Sequence, residues 1–296
     1  MKLSDLMIMM LCCLAWACNF VVSAWALGNN PVPPFMLAAT RAVLVIILMG
    51  WVLYGPLPKN FGRLLIVCVC VGPLHLGFLY TGLQTASASG SSIVSQMLIP
   101  MATILSVVFL GEKVGWRRIL AISGAVFGVV IMVYEPGAIG FDWGLILIIL
   151  AYLALAIGSV VMKTVGDVDW KHYVTWMAVV VLLVMAPASY VFESGQGEVW
   201  ASSSRLPLLI AASYAAICVT IFAHGQYFNL VRRYDISVVV PLTLMVTVFA
   251  CALGVIFLKE TLYPRYIIGA LLIMPCVWYI ARRQAVKDVS LHLNED

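Results

Sequence analysis

Long runs of apolar residues dominate the chain, and polar residues collect in short segments between them. A helix of about 20 apolar residues crosses ~30 Å of hydrocarbon while satisfying its own backbone hydrogen bonds. Ten runs reach this length. They predict ten transmembrane helices, called spans 1 to 10, at 5–27, 34–54, 63–84, 90–110, 116–134, 143–163, 172–191, 207–230, 236–258 and 265–283.

Composition and link length predict an all-α integral membrane protein without a soluble domain. Hydrophobic residues make up 64% of the chain and charged residues 10%, against roughly 25% charged residues in soluble domains. The longest link, 193–205, is too short for a core. The first run lacks a clear cleavage site, so it is interpreted as span 1 rather than as a signal peptide. All 8 cysteines fall inside predicted spans, where they act as small hydrophobes, and neither a metal nor another cofactor is expected.

The chain contains a repeat at half its own length. FLGEKVGWRRIL at 109–120 resembles FLKETLYPRYII at 257–268, 148 residues later, and YTGL at 80–83 resembles YFNL at 227–230. Each half holds five predicted spans, and an odd number reverses the second copy in the membrane. The pattern predicts two inverted five-helix repeats, 1–142 and 143–296. Such repeats are typical of secondary transporters, which bind their substrate between the halves.

Basic residues predict the orientation. With a cytoplasmic N-terminus, 13 of the 17 basic residues fall in cytoplasmic segments. They are Lys2, Lys59, Arg63, Lys113, Arg117, Arg118, Lys163, Lys171, Arg232, Arg233, Arg282, Arg283 and Lys287. The opposite side carries Arg205, Lys259 and Arg265, and Arg41 lies within span 2. By the positive-inside rule, both termini are predicted to be cytoplasmic.

Several segments in order resemble the EamA family of the drug/metabolite transporter superfamily over nearly the whole chain. They are LAWACNFVVSAWAL (14–27), PPFMLAATRAVLVI (33–46), IPMATILSVVFLGE (99–112), and AHGQYFNLVRRYDISVVVPL (223–242) with FLKETLYPRYIIGALLIM (257–274). The resemblance implies a ten-helix exporter of the bacterial inner membrane, closest in character to amino-acid and cysteine-metabolite exporters. It further implies a cavity lined by spans 1–4 and 6–9, with spans 5 and 10 at the periphery.

Polar side chains inside spans are costly and usually face a bundle interior or a water-filled path. In the first half the candidates for substrate contact are Trp16, Asn19, Arg41, His75, Tyr80 and Gln96. Trp16 and Asn19 share one helical face, although Asn19 could instead bond a neighbouring helix. Arg41 could bind a substrate carboxylate or serve the structure. His75, two residues after Pro73, could face the cavity or bond a backbone carbonyl.

In the second half the candidates are Tyr152, Ser159, Thr220, His224 and Tyr227. Helical spacing places the first two on one face of span 6 and the other three on one face of span 8. Such faces suit the wall of a wet cavity. The alternative for His224 and Tyr227 is a position near the membrane interface, where their polar groups reach water without a specific role.

Three classes of function remain to be weighed. An intramembrane enzyme is disfavoured because no acidic pair lies within the spans, and a scaffold or receptor would leave the polar faces unused. A carrier of small zwitterions, amino acids foremost, explains both the repeat and the polar faces. A carrier of drugs or quaternary ammonium compounds is the alternative, as are other metabolite carriers. The expected partners are a small-molecule substrate and the bilayer, not nucleic acid, with a monomer favoured.

The positions of the acidic residues bear on energy coupling. All 13 lie at span edges, in links or in tails, whereas proton-driven carriers commonly use an intramembrane carboxylate. Only His75 and His224 remain as intramembrane groups that titrate near neutral pH. The sequence therefore favours facilitated exchange, with proton coupling through His75 as the alternative.

Overall fold

The computed structural model describes residues 1–28, 30, 32–55, 60–111, 115–134, 142–166, 168–234, 239 and 242–292, with the backbone alone at 110, 118, 133, 232 and 281–292. The regular elements in this part of the chain are all helices. Seven are long and apolar enough to cross a membrane, and three shorter apolar helices bring the number of spans to ten. The predicted fold class is confirmed.

The helices follow the predicted spans closely. Span 1 is α1 (Leu3–Gly28), and span 2 is α2 (Pro34–Met49), which ends in a 3-10 turn at Gly50–Tyr54. Span 3 comprises α3 (Phe61–Val69), a π segment (Cys70–Leu74) and α4 (His75–Gly82). Span 4 comprises α5 (Ala88–Ser95) and α6 (Leu98–Leu110), and span 5 is α7 (Trp116–Val133). Span 6 is α8 (Trp143–Met162), and span 7 is α9 (Trp170–Phe192), which is followed by a short α10 (Gln196–Ala201). Span 8 comprises α11 (Arg205–Tyr214), a π segment (Ala215–Ala223) and α12 (His224–Arg233). Span 9 is α13 (Met245–Leu258), and span 10 is α14 (Pro264–His292). The predicted start of span 9 and positions 112–114 of the first repeated sequence lie outside the described residues.

The repeated FLG and FLK sequences end spans 4 and 9 in the same way. Gly111, after span 4, has φ 66°, and Lys259, after span 9, has φ 54°. A left-handed residue after the last turn is a common helix end, usually built with glycine. For a lysine this conformation costs about 1–2 kcal/mol. The second copy thus retains the backbone turn of the first without its glycine.

A π segment interrupts the third span of each half and is followed at once by a histidine. In span 3, Pro73 lies in the segment and His75 comes after it. Proline cannot donate a backbone hydrogen bond, which favours local opening of the helix. The segment in span 8 contains no proline, but the Thr220 hydroxyl donates to the Ala215 carbonyl at 2.9 Å and satisfies it. His224 follows this segment.

The packing of the spans shows how the halves are related. Span 2 packs against span 7, span 4 against span 9, span 5 against span 10, span 1 against spans 8 and 9, and span 6 against spans 3 and 4. Exchanging each span for its counterpart five positions away leaves this pattern unchanged. Span 9 ends where span 4 begins, so these counterparts run antiparallel and the two copies are inverted, as predicted.

Spans 5 and 10 form a closely packed pair at the edge of the bundle. A Cβ atom added to Gly128 would lie 2.8 Å from Ile273 Cγ1 and 3.1 Å from the Gly269 carbonyl oxygen. One added to Gly124 would lie 2.9 Å from Cys276 Sγ. The GxxxG sequence of span 5 therefore forms a packing seam within one chain.

Replacing Gly128 with alanine is expected to lower stability. The added methyl group meets a backbone carbonyl that cannot rotate away, and overpacking of this kind costs about 1–3 kcal/mol. Thermal unfolding in detergent should show a lower midpoint than in the parent protein. Gly62→Ala is the matched control, since nothing lies within 4 Å of a Cβ there. Equal shifts in the two variants would contradict this packing.

Candidate functional site

Arg41 is a buried cation at the contact between the two halves. It lies on span 2, and its side chain is directed into the bundle with 6% exposure. Nη1 donates to the Tyr80 hydroxyl at 3.0 Å, and Nη2 donates to Thr220 Oγ1 at 2.7 Å. Tyr80 belongs to span 3 and Thr220 to the π segment of span 8. Three of the predicted residues therefore form one hydrogen-bonded group, called the arginine cluster.

The arginine cluster carries one positive charge in the interior of the bundle. Both acceptors are neutral hydroxyls, and within the described residues Arg41 forms no ion pair with a carboxylate. A buried charge without a counter-ion is strongly destabilising. Beside Arg41 and Thr220 lies a small cavity of about 10 Å³, with apolar side chains such as Leu76 and Val181 forming most of its wall. The cluster is chemically suited to an anionic group.

Two further hydrogen-bonded sets join the halves near the middle of the bundle. Gln96, where span 4 breaks between its two helices, donates from Nε2 to Thr247 Oγ1 at 2.9 Å. The Thr247 hydroxyl donates in turn to the Ser92 carbonyl at 3.1 Å. His75 Nδ1 lies 2.9 Å from the Ala151 carbonyl oxygen. Gln96 and His75 are therefore both paired by the protein in this structure.

Trp16, Asn19, His224 and Tyr227 form a second group, called the unpaired wall. None of the four makes a hydrogen bond within the described part of the chain, and Trp16 Nε1 and Asn19 Oδ1 are buried without a partner. The Trp16 ring centroid lies 5.7 Å from that of His224 and 5.4 Å from that of Tyr227. Buried polar atoms without partners are rare in native structures. These four side chains retain donors and acceptors for a bound molecule.

The two histidines that follow the π segments occupy related positions. The His75 ring lies 5.2 Å from Tyr152, at an interplanar angle of 79°. The His224 ring lies 5.7 Å from that of Trp16, at a more tilted interplanar angle of 49°. Each histidine thus packs against an aromatic residue on the first span of the opposite half. The sequence identified these four residues but not their pairing, which depends on contacts between distant segments.

Ser159 is not brought together with the other predicted residues. Its side chain is exposed, and its hydroxyl donates to the Leu155 carbonyl of its own helix at 2.7 Å. A serine that bonds back to the preceding turn has little remaining need for a partner. Helical spacing places Ser159 and Tyr152 on one face of span 6 but cannot show which other helix that face meets.

Two glutamates, called the carboxylate clasp, connect the halves at one end of the bundle. Glu193, after span 7, accepts from the backbone N–H groups of Phe35 at 2.6 Å and Met36 at 3.1 Å, at the start of span 2. Glu260, after span 9, accepts from the N–H groups of Ala88 at 2.6 Å and Ser89 at 3.0 Å, at the start of span 4, and from Ser89 Oγ at 2.5 Å. Carboxylates are stabilising at helix N-termini.

The sequence places both glutamates at the ends of predicted spans or in links, but it does not show which helix each carboxylate meets. In the predicted topology, the clasp lies on the outer side. At the other end, the Tyr234 hydroxyl donates to Asp5 Oδ2 at 2.6 Å, and the exposed Arg233 lies 3.9 Å from Asp5 Oδ1. A glutamate directly after one span, opposite a Pro- or Ser-rich start of another, is the signal that could have identified the clasp.

Ten membrane spans in two inverted copies, joined by buried polar groups, define a secondary transporter. The EamA-like transporter family matches residues 3–134 and again 142–282. The chain belongs to this family, within the drug/metabolite transporter superfamily, and is a multi-pass membrane transporter rather than an enzyme. The boundary between the repeats at 142/143 stays a prediction.

Relatives along the whole chain agree with this membership. A probable amino-acid metabolite efflux pump of Escherichia coli (strain K12) is 25% identical over 300 residues, covering 97% of this chain and 99% of that protein. A protein of the same description from Salmonella typhimurium (strain LT2) is 25% identical over 287 residues and covers 93% of each chain. A crystal structure of a protein with 19% identity superposes with a TM-score of 0.62, over 97% of this chain and 99% of its own. This superposition shows that the two proteins share a fold.

Proposed function

We propose that the protein exports small zwitterionic metabolites, amino acids foremost, across the bacterial inner membrane, with both termini in the cytoplasm. The observation that carries the proposal is Arg41, a buried guanidinium held by two neutral hydroxyls. A guanidinium presents its N–H groups in a fork that matches a carboxylate. The two relatives described as probable amino-acid metabolite efflux pumps support the same substrate class.

The unpaired wall supplies the polar and aromatic contacts for the rest of the substrate. Asn19 Oδ1 can accept a hydrogen bond from an ammonium group, and the Trp16 ring can attract the same charge. His224 follows Thr220 by four residues on span 8, so the unpaired wall begins about one helical turn from the arginine cluster. A zwitterion therefore finds a cation and neutral acceptors within one region between the halves.

Alternating access is the mechanism that the contacts between the halves support. The carboxylate clasp connects spans 7 and 9 of the second half to spans 2 and 4 of the first, and its bonds are confined to the ends of helices. Breaking them would free one end of the bundle without unfolding a span. We infer that the clasp is closed when the substrate site faces the opposite side.

Replacing Asn19 with alanine is expected to reduce transport about tenfold, the loss associated with one hydrogen bond to a charged group. Since Asn19 makes no hydrogen bond within the described residues, the unfolding midpoint should change little. Uptake into proteoliposomes, normalised to inserted protein, measures the effect. Ser159→Ala is the matched control, because that hydroxyl is exposed and bonds its own helix. Unchanged transport in Asn19→Ala would remove the residue from the site.

Facilitated exchange is the proposed mode of coupling. The acidic side chains that the structure describes, including Glu193 and Glu260, lie at helix ends or outside the spans. Uptake at equal internal and external substrate should therefore be the same with and without an imposed pH gradient. Accumulation that follows the gradient would contradict facilitated exchange. If accumulation followed the gradient in the parent protein but not in His75→Ala, proton coupling would be assigned to that histidine.

A further inference from the structure

A groove lies between spans 5 and 10 at the periphery of the bundle, on different spans from those that carry the arginine cluster. Its volume is about 470 Å³. Its walls are formed by Trp116, Arg117, Leu120, Ala121, Pro275, Cys276 and Tyr279. Below it, the close contacts of Gly124 and Gly128 with span 10 bring the helices together. The groove therefore follows the contact between these two helices.

The polar and apolar parts of the groove are separated along the membrane normal. Trp116 and Arg117 are at the first turn of span 5, at the membrane edge, whereas Leu120 and Ala121 lie one turn deeper. The Arg117 guanidinium carbon lies 5.4 Å from the centre of the Trp116 ring. Trp116 is 66% exposed and Leu120 61%. This arrangement presents a cation and an amphipathic aromatic ring above an apolar channel.

The charge of the groove is positive. Among the residues that form its walls, Arg117 carries a charge and none is acidic. Basic residues at the membrane edge attract anionic headgroups by about 1 kcal/mol each, and tryptophan and tyrosine prefer the same depth.

We propose that this groove binds one anionic phospholipid. Arg117 holds the phosphate, Trp116 and Tyr279 flank the headgroup, and an acyl chain lies along Leu120 and Cys276. The site is independent of the transport pathway, since its residues belong to the two spans that pack mainly against each other. A second copy of the chain is the competing occupant, and the experiment below distinguishes the two.

The test uses the full-length protein in nanodiscs with a photoactivatable phosphatidylglycerol whose acyl chain carries the reactive group. Crosslinks mapped by mass spectrometry are expected on the peptides containing Leu120 and Cys276. Excess phosphatidylglycerol should displace them, while phosphatidylcholine and soluble glycerol phosphate should not. Arg117→Gln should reduce crosslinking about fivefold. Arg265→Gln, which removes an arginine at the opposite end of span 10, should leave it unchanged.

Three outcomes would overturn the proposal. Equal crosslinking by a phosphatidylcholine probe would show that the groove holds lipid without regard to charge. Equal loss in Arg117→Gln and Arg265→Gln would show a general effect of net charge. Protein–protein crosslinks at the same peptides, together with a dimer in native mass spectrometry, would show that a second copy covers the groove.

Discussion

Replacing Arg41 with glutamine is expected to reduce amino-acid transport at least about 100-fold. The substrate carboxylate would lose two charge-assisted hydrogen bonds, each worth about 1.5–3 kcal/mol, and 1.4 kcal/mol corresponds to a factor of ten. Arg41→Lys should restore part of the activity, because an ammonium keeps the charge but not the planar fork. Initial rates of uptake into proteoliposomes measure both effects.

A change of substrate distinguishes binding from a structural role. The parent protein should transport an amino acid far better than its carboxamide, which lacks the negative charge, whereas Arg41→Gln should transport the two equally. Stability gives a second distinction. A cation without a counter-ion is costly to bury, so Arg41→Gln should unfold at the same temperature as the parent or higher. A large fall in that temperature, with selectivity for the acid retained, would make Arg41 a structural residue.

Replacing Glu260 with glutamine is expected to open the clasp end of the bundle. The variant keeps the size of the side chain, but its NH2 group cannot accept the N–H bonds that one carboxylate oxygen accepts from Ala88 or Ser89, and its remaining oxygen carries no charge. Because charge-assisted bonds are about twice as strong as neutral ones, the lost and weakened bonds correspond to about 2–3 kcal/mol. The equilibrium between closed and open forms should therefore shift about 30- to 150-fold.

Spin labels beside the clasp measure this shift. Position 84 lies between spans 3 and 4, position 262 lies between spans 9 and 10, and both are exposed. The labels are placed there in a variant without the native cysteines. Glu260→Gln should add a population with a longer distance between them, and the rate of exchange should fall several-fold. Glu198→Gln, at an exposed carboxylate in the same region, is the control. An unchanged distance distribution in Glu260→Gln would show that the carboxylate clasp does not hold this end of the bundle closed.

The sequence predicts the spans well because hydrophobic length is a local property. Span 6 is predicted at 143–163 and found at Trp143–Met162, since the apolar run and the Asp142 cap both mark its start. The inverted arrangement follows from counting spans in each half. Pro73 likewise predicts the local opening of span 3, whereas the π segment of span 8 has no comparable residue to announce it.

The partners of the polar residues could not be predicted in the same way. Arg41 is separated by 179 residues from Thr220, and Gln96 by 151 residues from Thr247. Periodicity within one span shows which face a residue occupies but not which helix lies opposite. The same limit explains why periodicity places Ser159 with Tyr152 on one face, and why nothing local to Glu193 indicates its contact with the start of span 2.

Counterflow in proteoliposomes containing only the purified protein tests the proposed function most directly. Vesicles loaded with an unlabelled amino acid should transiently accumulate the labelled compound above its equilibrium level, whereas empty vesicles and vesicles loaded with the carboxamide should not accumulate it. Protein-free liposomes show the background. Exchange of a quaternary ammonium compound, with none for any amino acid in a full panel, would contradict the assignment of a carboxylate substrate to Arg41. The absence of exchange for every compound would contradict the function as a carrier.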